Sequence, residues 1–206
     1  IDADAKTVYL ADPEMSLDVG SVGKGYAVEM VCQAAQARGL TSALVSVGGN
    51  MRAIGKKPDG SQWTGGVENP WNASEVYTTD SLFGAAINIS DMALVTSGDY
   101  QRYFVVDGKR YHHIIDPKTG KPAESGLVSV TVVCGDGAWA DALSTACFVL
   151  GEAGSLALRD TLAAEKNLRI ELILVTDDGH VRYTAGLAER FEPSEEGTYV
   201  YEAIIA

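Results

Sequence analysis

Asp141 and Thr145 stand four residues apart in "GAWADALSTACFVLG", an otherwise apolar stretch from Gly137 to Gly151. On a helix that spacing puts a carboxylate and a hydroxyl on one face. A buried carboxylate without a partner is expensive. A cation is one such partner, because carboxylate, hydroxyl and backbone carbonyl oxygens form a hard-ligand set suited to Mg²⁺. The plain alternative is that Asp141 caps a neighbouring element and Thr145 bonds back to its own helix, as buried polar groups generally do. Spacing alone leaves both open.

Three further stretches could carry chemistry. "SLDVGSVGKGYAVE" (Ser16–Glu29) has Gly20, Gly23 and Gly25 around Lys24 at a helix start. Amides and the helix dipole favour anions there. A P-loop is excluded, since Gly25 follows the lysine where Ser or Thr is needed; a Gly-rich turn before an amphipathic helix is the ordinary reading. "VSVGGN" (Val45–Asn50) places two glycines and an Asn beyond a strand, as a phosphate contact or a tight turn. "YHHIIDPKTGKP" (Tyr111–Pro122) holds two of the three histidines, beside Asp116. Neighbours on a strand face opposite sides, so His112 and His113 should not share a pocket. One of them near a carboxylate could be a general base, and Asp116–Gly120 reads equally well as a turn.

The elements that must hold these residues alternate without a βαβ rhythm. Strands are expected at Lys6–Ala11, Ser42–Val47, "WTGGVENP", "GAAINIS" and "GLVSVTVV", with a polar loop near Ala73–Ser81. Asp107-Gly108 and Asp178-Gly179 mark hairpins. Helices are expected over Gly23–Gly39, over Gly137–Gly151, and over a further stretch, "AGSLALRDTLAAEKN". The class is α+β with largely antiparallel sheets.

With Lys plus Arg at 16 against Asp plus Glu at 28, the formal charge is −12. Nucleic acid and anionic membrane surfaces are disfavoured as partners, since both need clustered cations. A small phosphorylated ligand stays open if a metal offsets its charge. Cys32, Cys134 and Cys147 match no zinc spacing and read as buried small hydrophobes. There is no apolar run of transmembrane length and no signal-peptide pattern, and a mature or truncated chain of one domain, residues 1–206, is expected.

In order along the chain, "LDVGSVGKGYAVE", "ALVSVGGNMRAIG", "ALVTSGDYQRYFVVDGKRYHHIIDPKTGKP" and "SVTVVCGDGAWADALSTA" resemble the ApbE family of Mg²⁺-dependent FAD:protein FMN transferases. The resemblance implies an ApbE-type, T-fold-like α+β domain corresponding to the C-terminal two-thirds of the usual family length, lacking part of the flavin pocket. It implies transfer of FMN from FAD to a Thr or Ser hydroxyl of an acceptor protein, with release of AMP. By the same resemblance Asp141, Thr145 and the main-chain carbonyls of Ser21 and Ser144 hold Mg²⁺, or Mn²⁺. Asp18, Lys24 and Ile115 contact FAD, and His113 and Asp141 are the catalytic residues. The implied acceptor is a subunit of a redox membrane complex, the implied location the cell envelope by way of a lipoprotein anchor, and an oligomer is open. A metal-dependent FAD pyrophosphatase and a non-catalytic flavin-binding module are the competing readings.

Overall fold

The structure is a computed structural model and describes residues 1–71, 85–193 and 199–204. In chain order the elements are α1 (Gly23–Ala37), β1 (Ala43–Val47), β2 (Asn50–Ile54), β3 (Trp63–Val67), β4 (Ala85–Ile89), β5 (Ala93–Gly98), β6 (Tyr103–Val106), β7 (Lys109–His112), β8 (Ile115–Asp116), β9 (Lys121–Pro122), β10 (Leu127–Cys134), α2 (Gly137–Lys166), β11 (Ile170–Thr176), β12 (His180–Thr184), β13 (Phe191–Pro193) and β14 (Val200–Ile204). A seven-stranded sheet runs β1-β2-β5-β10-β11-β12-β14. It is antiparallel except where β12 meets β14. A three-stranded sheet, β13-β4-β3, lies apart from it. The α+β expectation holds.

Strand β10 is the centre. All eight of its residues are buried, so it reads as a near-continuous apolar run rather than an alternation. Val130, Val132 and Cys134 join a core with Phe148, Leu143 and Cys147 of α2. Val133 belongs to a second core, with Ile87, Ile89 and Ile173. Helix, main sheet and small sheet thus form layers around two cores. A fully buried side chain such as Phe148 contributes about 1.5–3 kcal/mol. The three cysteines are free and buried, and burial pushes the Cys134 thiol up to about 11.

Helix α1 stops in a Schellman pattern: Gly39, at φ +94°, donates to the Gln36 carbonyl, and Leu40 donates to that of Ala35. Helix α2 carries both expected helices, joined at Gly151, whose φ of +71° and ψ of −178° break the helical path. The Ser155 hydroxyl spans the break, its Oγ 2.6 Å from the Gly151 carbonyl oxygen and 3.0 Å from that of Cys147. By length and composition α2 could cross a membrane, but much of its apolar surface packs in the sheet core. The turns at Asp107-Gly108 and Asp178-Gly179 join hairpins, and Asp107, Gly108 and Gly179 have positive φ. Lys6–Ala11 is a correction: it forms no strand. The first 20 residues are exposed, their one ladder contact the bridge of Asp2 with Thr7. Val8 and Leu10 alternate as a strand would, but no neighbouring strand offers them a ladder. The loop expected near Ala73–Ser81 lies outside the described residues.

Candidate functional site

The site begins where α1 crosses α2. At Gly25 a Cβ would sit 2.2 Å from the Gly137 carbonyl oxygen and 2.5 Å from Asp141 Cβ. Only glycine allows that approach. It lets each helix satisfy an N-terminal amide of the other, groups with no partner inside their own helix. The Gly25 N–H donates to Asp141 Oδ2 at 2.8 Å, and the Gly137 N–H donates to Glu29 Oε2 at 2.8 Å. Glu29 is 3% exposed and is paired with Arg52 of β2, whose Nε donates at 2.9 Å. Burial alone would raise the Glu29 carboxyl; the Gly137 amide, Gln33 and Arg52 outweigh it and hold the group below its ordinary range. Asp136 caps α2 by accepting from the amides of Ala138 and Trp139.

Beyond the crossing lies the tight turn Gly48-Gly49 between β1 and β2, both glycines at positive φ. Asn50, first residue of β2, is 2% exposed. With its amide assigned from its hydrogen bonds, Nδ2 donates to Asp141 Oδ1 at 3.2 Å and Oδ1 accepts from Lys24 Nζ at 3.1 Å. Lys24 Nζ also reaches the Gly48 carbonyl at 3.5 Å. Three segments distant in sequence therefore converge on one carboxylate and one ammonium.

One helical turn along α2, Thr145 is half-buried and Ser144 fully buried. Ser97 of β5 joins them, its Oγ 2.8 Å from Ser144 Oγ and 3.2 Å from Thr145 Oγ1. The Ser144 hydroxyl donates to the Asp141 carbonyl at 2.9 Å. Asp141 does cap a neighbouring element, as the plain reading had it, and it remains the carboxylate of an oxygen-rich patch.

The two histidines part where β7 ends: His112 is its last residue and His113 lies in the bend that follows. His112 is buried, its Nε2 3.0 Å from the Ala123 carbonyl and its ring edge-on to Phe148. His113 is on the surface, with Nδ1 3.2 Å from the Arg102 carbonyl. A carbonyl partner requires the proton on Nδ1 and leaves Nε2 basic. Partial desolvation lowers the His113 pKa; the bond to the Arg102 carbonyl opposes this, and the charges of Arg102 and Lys24 add to the lowering. Ile115 is exposed in β8. Asp18 folds onto its own loop, accepting from the Gly20 amide at 2.6 Å, and Ser21 is exposed in the turn before α1. Contacts join Lys24, Asp141, Ser144 and Thr145, directly or through Asn50, Gly25 and Ser97. Asp18, Ser21, His113 and Ile115 are not joined to them by any side-chain contact among the described residues.

A divalent cation fits this patch by donor chemistry. Each Asp141 oxygen accepts one hydrogen bond, which leaves lone pairs on both. Thr145 Oγ1 is a second hard donor. No group of three His, Cys, Asp or Glu occurs among the described residues, so this is no all-protein cage. It suits Mg²⁺, which typically takes one or two carboxylates and completes its shell with water and substrate phosphate.

Residues 1–168 match the profile of the ApbE family. The chain belongs to the ApbE family. It is 38% identical over 186 residues to the FAD:protein FMN transferase of Treponema pallidum, covering 89% of this chain and 50% of that protein. It is 35% identical over 190 residues to the enzyme of that name from Haemophilus influenzae, covering 92% and 52%. The crystal structure of the ApbE protein from Thermotoga maritima superposes with a TM-score of 0.62 at 38% identity, over 87% of this chain and 51% of that one. This ApbE chain therefore spans about half the length of the curated relatives it matches.

Within the ApbE chain, sequence reasoning missed Glu29, Asn50, Arg52 and Ser97 as site residues. Glu29 carried a local signal: it follows Gly25 by one turn and adjoins Val28 on the buried side of α1. For Asn50 the sequence offers a phosphate contact or a tight turn but not a bridge between Lys24 and Asp141, and Arg52 and Ser97 lie in strands β2 and β5, which no local pattern marks.

Proposed function

We propose that this ApbE chain takes part in Mg²⁺-dependent transfer of FMN from FAD to a Thr or Ser hydroxyl of an acceptor protein, with release of AMP. The observation that carries the reading is the convergence of Lys24, Asn50 and Asp141 at the start of α1, beside the Ser97–Thr145 hydroxyls. Phosphoryl transfer needs charge neutralisation and in-line positioning more than covalent help. When bound, Mg²⁺ or Mn²⁺ on Asp141, Thr145 and the carbonyls of Ser21 and Ser144 would offset pyrophosphate charge. Lys24 binds a phosphate oxygen, and its tether to Asn50 and Gly48 fixes where. Asp18 and Ile115 are assigned to the FAD contact surface.

His113 Nε2 takes the proton of the acceptor hydroxyl. That oxygen bonds to the phosphorus of the FMN half, the bond from that phosphorus to the bridging oxygen breaks, and AMP leaves with the bridging oxygen. The lowered pKa keeps His113 neutral, and so able to accept a proton, at neutral pH. The acceptor is assigned to the redox complexes of the cell envelope, with the protein exported to reach it.

Mass spectrometry of an acceptor protein incubated with FAD and Mg²⁺ tests the proposal. A gain of one FMN with one AMP released, lost in excess chelator and in Asp141→Asn, is expected. Free FMN and AMP with no labelled protein would make the site a pyrophosphatase, and binding without turnover would make it a flavin-binding module.

A further inference from the structure

Lys24 and Asp141 carry opposite charges at one site, yet among the described residues they make no direct ion pair. What stands between them is the side chain of Asn50, which donates to the carboxylate at 3.2 Å and accepts from the ammonium at 3.1 Å. A primary amide is a neutral group that offers a donor to an anion from one end and an acceptor to a cation from the other, with no proton to lose to either. Asn50 is 2% exposed and fixed at the first position of β2, directly after the positive-φ turn that also offers Lys24 the Gly48 carbonyl. Lys24 by contrast is a long, exposed side chain, free to move if its tether goes.

We propose that Asn50 is a positioning residue that acts as a neutral spacer, keeping the Lys24 ammonium off the Asp141 carboxylate so that one stays free for phosphate and the other for a divalent cation. Without it, opposite charges collapse onto each other. The carboxylate lone pairs that would meet a metal are then taken by the ammonium. The inference rests on the reading of Asp141 as a cation ligand. It adds a residue whose effect is exerted through Lys24.

The test is Mn²⁺ alone, titrated by electron paramagnetic resonance into the wild type, Asn50→Leu, Lys24→Met and the double variant. Loss of an outer-sphere partner typically weakens metal binding by about 10- to 100-fold, and that is expected for Asn50→Leu. The decisive result is rescue: with Lys24 also replaced, there is no ammonium to occupy Asp141, and the double variant should bind Mn²⁺ about as tightly as Lys24→Met. A merely structural role for Asn50 would leave the double variant as weak as Asn50→Leu, and that outcome overturns the proposal. So does unchanged affinity in Asn50→Leu. Absence of Mn²⁺ binding in the wild type would overturn the metal reading itself, and the spacer role with it. Circular dichroism monitors folding. Asn50→Ala, which adds no bulk, carries the same expectations if the leucine variant does not fold.

Discussion

Replacing Gly25 by alanine probes the contact on which the site is built. The added methyl would lie 2.2 Å from the Gly137 oxygen and 2.5 Å from Asp141 Cβ, against ordinary carbon contacts of about 3.5–4.0 Å. One obstacle is main chain and the other is the root of a side chain, so neither can swing aside. The helices must separate by roughly 1 Å, which takes the two 2.8 Å bonds, Gly25 to Asp141 and Gly137 to Glu29, out of hydrogen-bond range. Overpacking costs about 1–3 kcal/mol. Each weakened bond to a buried carboxylate costs up to about 1.5–3 kcal/mol. The better helix propensity of alanine offsets up to about 1 kcal/mol. The net is a loss of about 3–8 kcal/mol. In urea unfolding, with a slope of about 1–3 kcal/mol/M, the midpoint should fall by at least about 1 M. Mn²⁺ affinity should fall with it, because Asp141 is displaced. A Gly25→Ala protein with the wild-type midpoint and wild-type Mn²⁺ affinity would refute the close crossing as the support of the site.

Asp141→Asn should abolish FMN transfer while leaving a folded protein, since an amide oxygen still accepts from the Gly25 amide; turnover at the wild-type rate removes Asp141 from the chemistry. His113→Ala should slow transfer by about 10²-fold or more with FAD binding intact, whereas His112→Ala should instead lower thermal stability, through loss of the Ala123 hydrogen bond and the Phe148 contact. Because the folded pKa of His113 lies below the ordinary imidazole value of about 6.5, the acid limb of the rate profile should fall below that pH. In the window between the two pKa values the unfolded chain binds more protons, so stability should rise with pH there; a proton-linked slope of opposite sign in His113→Ala difference curves contradicts the assignment. Lys24→Ala should weaken FAD binding, less so at high salt where the charge is screened; a loss independent of salt would point to a packing role.

Local chemistry determined a good part of this protein. Asp-Gly pairs placed two hairpins, Gly39 ended α1, Gly151 divided α2, and the spacing of Asp141 and Thr145 put a carboxylate and a hydroxyl on one face of a helix. These are features of a few consecutive residues, and local φ, ψ and periodicity suffice to read them. The tertiary structure alone decided what Asp141 touches. Its amide partner, Gly25, is 116 residues away, and Glu29 meets Gly137 across 108. It also made strands of Asn50–Ile54 and Ala93–Gly98, short stretches whose identity comes from their neighbours in the sheet. It denied a ladder to Lys6–Ala11, whose alternation was as good. Pairing over such distances is set by which surfaces are buried together in the cores on the two sides of β10. No window of neighbouring residues holds that information.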